Sequence, residues 1–397
     1  MTCPSNEPMS ESRPISVHPH PPTSPRGVIL LAVAAVIAAA VAPGFLALHA
    51  PARIDPGPGV TRTSKLSAWF GGLAGTDGDT DVYLLDGQPA GGTMLVVGGT
   101  HADEPAGHLA AVILVERARV SAGRLIVIPR ANASGFTHNF PQEAHPAFIA
   151  VATPGGPRRF AFGARATNPV HQWPDPQVYT LAASGQTLSG SETRNLNRAY
   201  PGRPDGTLTE RIAYAITTLI NREHVDLTID LHEASPEYPV VNTIVAHERA
   251  MDLAATANVA MQEMGIDIGL EQSPRNLHGL SHRELGDATR TLAVLMETTN
   301  PGQGRLRGRT DARLMVTGRD HFYVLASDQH RLSVPFPSSG WPIDVRVARH
   351  LAGVLALTGG LGDILPDKRL QITGIPGYAD IVSRGIGALL APTGDTR

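Results

Sequence analysis

Residues 93–107, with the sequence TMLVVGGTHADEPAG, constrain the fold of this chain more than any other segment. The apolar run at 94–97 is short and contains two valines, which is typical of a buried β-strand. Gly98 and Gly99 allow the backbone to turn tightly after it. Pro105 suits the first turn of a helix. The segment therefore predicts a buried strand, a turn and a helix in succession.

Two possible metal ligands lie in that turn. His101 and Glu104 are three residues apart, a spacing at which an imidazole and a carboxylate can bind one metal ion. The pair alone is weak evidence, because a His and a Glu at this spacing also occur by chance in surface loops. Its meaning depends on whether the remaining chain supplies a third ligand, a base and a group that binds an anion.

From about residue 64 the sequence has the pattern of a globular α/β domain. We predict strands at 81–85 (an edge strand), 94–97, 124–128, 225–231, 240–246 and 291–296, and helices at 104–120, 207–222, 247–264 and 343–357. The strands show little polar alternation, which predicts a mixed, mainly parallel sheet with helices on both faces. Residues 136–191 have no clear periodicity and are predicted to be a long surface insertion. Residues 321–326, HFYVLA, resemble a further strand.

Four chemically useful side chains follow predicted strand ends. His101 and Glu104 follow one strand, His232 follows a second and Glu297 follows a third. The carboxyl ends of parallel strands form one edge of the sheet, where sites of such folds lie. His101, Glu104 and His232 would form the three-ligand set of a catalytic zinc ion. Glu297 would then serve as general base for the zinc-activated water, although a structural role is an alternative for each residue alone.

The loop at 191–202, SETRNLNRAYPG, supplies candidate substrate contacts. Arg194 and Arg198 carry guanidinium groups that can bind a carboxylate through two hydrogen bonds, and Asn197 adds a donor. Beside a zinc ion, such arginines would select a substrate with a free carboxylate and polarise its scissile carbonyl. A solvated loop is the alternative interpretation of this segment.

The N-terminal region contains one apolar stretch, at 27–48, which holds no charged residue and is long enough to cross a bilayer. Arg13 and Arg26 precede it and favour a cytoplasmic N-terminus. The Ala-x-Ala pattern at 50–52 resembles a signal cleavage site. A signal peptide and an uncleaved anchor both remain open, with a buried core helix as a third alternative. Either membrane alternative predicts an exported catalytic domain, secreted or membrane-anchored.

These observations divide the chain into five segments. We predict a disordered tail at 1–26, a signal peptide or transmembrane anchor at 27–50, a linker at 51–63, the catalytic domain at 64–365 and a C-terminal tail at 366–397. The net charge of −3 shows no basic excess that would indicate a nucleic-acid partner. The single cysteine, Cys3, rules out an intrachain disulfide.

The motifs GGTHADEPAG, NLNRAYPG, DLHEAS and METTNPG resemble those of the succinylglutamate desuccinylase/aspartoacylase family of the zinc carboxypeptidase superfamily. The resemblance extends from about residue 95 to residue 301 and implies a zinc carboxypeptidase-like fold. It implies one zinc ion, held by His101, Glu104 and His232. It also implies that Glu297 activates a water molecule and passes the proton to the leaving amine, while Asn197 and Arg198 hold the substrate carboxylate.

One arginine departs from the family pattern. Arg194 would polarise the carbonyl, but it lies only four residues before Arg198, whereas the family's arginine usually lies further upstream. Arg165 and Arg130 are therefore alternative candidates. Asp230 is a candidate for orienting a ligand histidine.

The expected function is that of a zinc-dependent amide hydrolase acting next to a free carboxylate. An N-acyl amino acid deacylase is the first expectation, and a metallocarboxypeptidase that trims peptides is the alternative. A catalytically inactive, membrane-tethered binding module is a further one. The partner would be a small carboxylate-bearing molecule, plus a membrane contacted through residues 27–48 if they are not cleaved. The insertion at 136–190 would reshape the pocket, so the family's substrate is not assumed.

Overall fold

The computed structural model describes residues 24–49, 53–140 and 145–392. The chain divides into two compact units, Met1–Ala47 and Leu48–Arg397. The predicted tail up to residue 23 and the Ala-x-Ala pattern at 50–52 lie outside the described residues. In the first unit, helix α1 (Pro25–His49) contains Pro43. Its segment Pro25–Gly44 is long and apolar enough to cross a membrane, with a mean hydropathy of 2.4. Its membrane role stays a prediction.

The second unit is built on one nine-stranded sheet. Its strands are β1 (Arg62–Lys65), β2 (Asp81–Asp86), β3 (Gln88–Val97), β4 (Arg119–Ile128), β9 (Leu227–Ala234), β10 (Thr243–Ala246), β11 (Gly269–Gln272), β12 (Leu292–Thr299) and β13 (Gln371–Thr373), with β5 to β8 lying outside it. The order is β1-β2-β4-β3-β9-β12-β10-β11, and β13 also pairs with β4. The four central strands, β4, β3, β9 and β12, run parallel. The predicted mixed sheet with a parallel centre is confirmed.

Helices cover both faces of this sheet. They are α2 (Pro105–Arg117), α3 (Leu208–Arg222), α4 (Met251–Glu263), α5 (Ser281–Ala288), α6 (Ala312–Thr317), α7 (His321–Asp328), α8 (Ile343–Ile364) and α9 (Tyr378–Arg384). Met94 and Val96 of β3 pack into one apolar core with α2, α4 and α8. Leu95 and Val97 pack into a second core with α3 on the opposite face. Because side chains alternate along a strand, a strand buried on both faces has the continuous apolar sequence seen here.

Three predicted elements differ from the structure. Strand β2 is internal, because β1 covers its outer edge. Residues 321–326 form helix α7 rather than a strand, because the Asp320 side chain accepts a hydrogen bond from the Tyr323 amide and caps the helix. The insertion has structure of its own, since β5 (Phe148–Thr153) pairs with β6 (Gly156–Ala161) and β7 (Val178–Thr180) pairs with β8 (Thr187–Ser189).

The predicted domain boundaries are also too narrow. In the predicted linker, Ile54 and Val60 pack on the first core. In the predicted C-terminal tail, β13 extends the sheet, and Ile381, Ile386 and Leu390 are buried in that core. These segments are short and contain few periodic apolar residues. The sequence pattern therefore did not indicate that they pack against the core. They form part of the second compact unit.

Candidate metal centre and substrate cavity

Three adjacent parallel strands bring the predicted metal ligands together. β9 lies between β3 and β12, with Val97 paired to Asp230 and His232 paired to Glu297. The ends of these strands therefore meet at one edge of the sheet, as parallel topology requires. His101, Glu104 and His232 are buried, and one ligand atom from each lies within 4.8 Å of the others.

The two histidine rings present the same nitrogen to Glu104. The Nδ1 atom of His101 lies 2.8 Å from Glu104 Oε1, and the Nδ1 atom of His232 lies 3.1 Å from Glu104 Oε2. Each Nε2 atom has another partner, the Asn195 Oδ1 atom at 2.9 Å for His101 and the Asp230 Oδ2 atom at 2.8 Å for His232. Outer partners of this kind hold a metal-binding imidazole in one orientation and tautomer. The donor set fits a zinc ion bound by two imidazoles and a carboxylate.

Asp230 and Asn195 are themselves held in place. The Asp230 carboxylate accepts hydrogen bonds from the Thr100 hydroxyl at 2.9 Å and from the Ser281 hydroxyl at 2.6 Å. Asn195 accepts from the Asn197 amide at 3.0 Å. Asp230 was predicted from the sequence as a possible orienting group, whereas Asn195 was not. The only signal for Asn195 was its place two residues before Asn197 in the NLNR segment.

Burial and close charges shift the ligands' pKa values. Burial, assisted by Arg165, lowers the pKa of His101 to about 4. Burial opposes ionisation of Glu104, but the two histidines hold its pKa well below the usual value. Burial also opposes protonation of His232, yet Asp230 and Glu104 raise its pKa well above the usual value. A neutral His101 and an ionised Glu104 have the protonation states that metal binding requires, and a bound cation would displace the proton of His232.

Glu297 lies beside this group on β12. Its carboxylate is half-buried and lines the same cavity as the three ligands. Burial raises its pKa to about 8, and the nearby Glu104 carboxylate adds to the shift while His232 opposes it. Among the described residues, no hydrogen-bond partner contacts its Oε2 atom. A carboxyl group with a pKa near neutrality and an open oxygen can both accept and return a proton.

The structure does not bring Arg194 to the site, which corrects the sequence-based placement. Its guanidinium donates two hydrogen bonds to Asp175, at 2.7 and 2.9 Å, and a third to the Thr167 carbonyl at 2.9 Å. It thereby anchors two loop segments of the insertion. Because Arg194 already donates these three hydrogen bonds, its position indicates a structural role. Arg130 is not among the described residues that line the cavity, and its guanidinium lies 3.8 Å from the Asp81 carboxylate.

Arg165, the other alternative, reaches the metal group. Its Nη1 atom donates to Glu104 Oε1 at 3.2 Å and lies 3.3 Å from His101 Nδ1. Asn197 and Arg198, the predicted substrate contacts, line the same cavity. The Asn197 Oδ1 atom accepts from the Ser281 amide at 2.8 Å. Burial and the nearby Arg165 lower the pKa of Arg198, which remains a cation at neutral pH.

The cavity around this group has a volume of about 560 Å³. A second cavity of about 440 Å³ adjoins it and shares Arg165, Arg198, Tyr238 and Gln303. The first cavity combines the polar site with apolar side chains, whereas the second is lined mainly by polar groups, among them Arg307 and Glu192. The arrangement accommodates a molecule that extends from the metal group in two directions.

Comparison with known families agrees with the predicted resemblance. Residues 181–319 match the family described as the succinylglutamate desuccinylase/aspartoacylase catalytic domain. The matched segment is about a third of the chain and includes Asn197, Arg198, His232 and Glu297. His101 and Glu104 precede it, so their inclusion in the site comes from the geometry.

Solved structures give a broader comparison. A succinylglutamate desuccinylase/aspartoacylase from Rhodobacter sphaeroides is 17% identical, with a TM-score of 0.39, and the match covers 72% of this chain and 58% of that one. A product-bound ectoine utilization protein from Ruegeria pomeroyi is 23% identical, with a TM-score of 0.34 and coverages of 57% and 55%. A metallo-carboxypeptidase from Burkholderia cenocepacia is 13% identical, with a TM-score of 0.43 and coverages of 81% and 68%.

The chain thus spans little more than half the length of the first two of these structures. At such TM-scores the similarities assign no activity. No curated protein matches the chain.

Proposed function

We propose that this protein is a zinc-dependent amide hydrolase that acts next to a free substrate carboxylate, and that it deacylates N-acyl amino acids. The observation that carries the proposal is the buried group of His101, Glu104 and His232, whose histidines each have an orienting partner, beside Glu297 in one cavity. A binding module without catalysis would need neither a fixed ligand set nor a neighbouring carboxyl group whose Oε2 atom has no hydrogen-bond partner among the described residues.

The proposed roles follow from the positions. Zinc held by the three ligands would polarise the amide carbonyl and acidify the attacking water. Glu297 would accept a proton from that water and return it to the amide nitrogen as the C–N bond breaks, releasing an amine and a carboxylic acid. Arg165 would donate a hydrogen bond to the carbonyl oxygen as negative charge develops on it. Arg198 and Asn197 would bind the carboxylate of the amino acid half.

A metallocarboxypeptidase is the second candidate, and the adjoining 440 Å³ cavity favours it. An acetyl or succinyl group needs little space beyond the metal group, whereas a peptide would extend into that second cavity. Both candidates use the same named residues. Hydrolysis rates on N-acyl amino acids and on peptides with the same final residue distinguish them.

Metal dependence provides the first test. We expect purified protein to contain one zinc ion per chain and to hydrolyse such substrates with zinc but not after chelation. A His101→Ala, Glu104→Ala double variant should lose both the zinc and the activity. The matched control replaces an exposed pair, His321→Ala with Glu263→Ala. Activity that survives chelation, or zinc that the double variant retains, would refute the proposed centre.

For α1 we propose a role in export, either as a signal peptide or as an uncleaved anchor. Its apolar sequence and N-terminal place support this proposal. Expression of the full chain with a C-terminal tag, followed by mass measurement of the mature protein, tests it. A mass corresponding to cleavage near residue 52 indicates a signal peptide, and a full-length chain in the membrane fraction indicates an anchor. A full-length chain in the cytoplasmic fraction contradicts both.

A further inference from the structure

We propose that the carboxylate-bearing half of the substrate has an apolar side chain, which binds against an apolar wall formed by Val240, Val245, Leu277, Leu280 and Leu295. This inference rests on the proposed function and specifies the substrate class of the same site. It departs from the acidic amino acids, aspartate and glutamate, that the names of the matched family imply.

The register of β10 and β12 places apolar side chains beside Glu297. Glu297 and Leu295 are two residues apart on β12, so their side chains lie on the same face of the sheet. On the neighbouring strand β10, Thr243 pairs with Glu297 and Val245 pairs with Leu295. Leu295 and Val245 both line the cavity. The surface beside the proposed base is therefore apolar along the direction of the strands.

The loop at 273–280, between β11 and α5, also borders the cavity. Leu277 and Leu280 line the cavity from this loop. Ser281 fixes the loop at two points, because its amide donates to Asn197 Oδ1 at 2.8 Å and its hydroxyl donates to Asp230 Oδ2 at 2.6 Å. The Gly279 carbonyl also accepts from the Tyr200 amide at 3.2 Å.

The apolar loop is therefore joined directly to the segment that carries Asn197 and Arg198. Arg198 follows Asn197, which contacts Ser281, so a carboxylate bound by Arg198 and Asn197 would lie beside this wall. Arg165 contacts Glu104, to which Gln303 also donates. The substituent on the carbon next to that carboxylate would then project toward Leu277 and Leu280, which line the cavity. The acyl or peptide half is left for the side shared with the second cavity.

The charged side chains around the apolar wall indicate which substituent can bind there. Among the described residues that line the first cavity, the lysine and arginine side chains are limited to Arg165 and Arg198. The proposed function uses both. The exposed Glu271 lies at the entrance on the wall's side, and His282 already bonds Ser273 through Nδ1 at 2.8 Å. An acidic side chain would lose its hydration there without gaining a cationic partner, whereas an apolar side chain would gain contacts.

The experiment measures kcat/KM with zinc for two panels, N-acetyl-X and Gly-Gly-X, where X is Ala, Leu, Phe, Asp or Glu. We expect Leu and Phe to exceed Ala by roughly 10- to 100-fold, in line with the discrimination that apolar pockets achieve. Asp and Glu should fall below Ala. Equal rates, or a preference for Asp or Glu, would overturn this inference and leave the hydrolase intact. Failure to hydrolyse any compound would instead refute the proposed function.

A positive charge introduced into the apolar wall tests whether the substrate side chain binds there. Leu277 is 38% exposed, so Leu277→Arg is compatible with folding, and it should raise kcat/KM for Asp and Glu while lowering it for Leu. Leu325→Arg is the matched control, since Leu325 is 42% exposed and is not among the described residues that line either cavity. If Leu277→Arg fails to fold, Val240→Arg tests the same wall. An unchanged preference in the folded variant would refute the placement.

Discussion

The cavity has a buried floor and an exposed rim, and the two differ in how their side chains are held. We define the floor as His101, Glu104, Asp230, His232 and Glu297, and the rim as Arg165, Arg198 and Tyr238. The four floor side chains other than Glu297 are only 1–2% exposed and bond one another. The Arg165 side chain is 40% exposed, and Tyr238 is 59% exposed.

This difference separates the side chains that form the metal group from those that would contact the substrate. Asp230, His232 and Glu297 stand at the ends of paired strands, so the register of the sheet positions them. His101 and Glu104 lie in the short turn between β3 and α2. Removing one partner of a buried charged pair strongly destabilises the folded protein. We therefore expect substitutions in the floor to be poorly tolerated. The rim side chains come from loops and retain contact with solvent.

The largest effect is expected on the floor at Glu297. The Glu297→Gln substitution keeps the shape of the side chain but removes the carboxylate that would accept and return the proton. We expect kcat to fall by about 10²- to 10⁴-fold, with zinc content unchanged. Steady-state kinetics and metal analysis check this prediction. Glu263→Gln, on the exposed end of α4, is the control and should retain activity. A Glu297→Gln variant with full turnover would remove the proposed base from the mechanism.

The next effect contrasts two arginines, one on the rim and one outside the site. Arg165→Ala should lower kcat by about 10²- to 10³-fold, because it removes a donor from the developing oxyanion, and should leave the melting temperature nearly unchanged. Arg194→Ala should do the reverse, because it leaves the half-buried Asp175 without its two hydrogen bonds. Kinetics and thermal melting of both variants are the measurements. If Arg194→Ala kept its melting temperature and lost turnover, Arg194 rather than Arg165 would be the donor to the oxyanion.

The floor could be predicted from the sequence because parallel strands impose a shared edge. Once 94–97, 225–231 and 291–296 were recognised as strands, the residues that follow them had to lie near one another. Asp230, two residues before His232 on β9, was only a possible orienting group in the sequence, with an ordinary strand-end aspartate as the alternative. The boundaries of the strands were less accurate, since β9 and β12 each continue two or more residues beyond the predicted ends.

The rim could not be predicted in that way, because loops have no register. Arg194 and Arg165 both precede Asn197, and nothing in their spacing shows that Arg194 turns toward Asp175 while Arg165 turns toward Glu104. The path of the insertion decides this, and its two hairpins lack a clear apolar period. Helix α7 was missed for a related reason: its HFYVLA sequence suits a strand, and a local contact from Asp320 selects the helix.

A smaller effect tests whether the floor also depends on its outer partners. Asp230→Asn keeps the side-chain volume but weakens the hydrogen bonds that hold His232 and Ser281. We expect zinc affinity to fall by about 10- to 100-fold, measured by competition with a chromophoric chelator. Asp226→Asn is the control just before the opposite end of the same strand, where Asp226 contacts Lys368 and the Thr93 amide. It should leave zinc affinity unchanged, because its side chain contacts no member of the metal group among the described residues. Equal losses in both variants would mean that general destabilisation, rather than the orientation of His232, sets the zinc affinity.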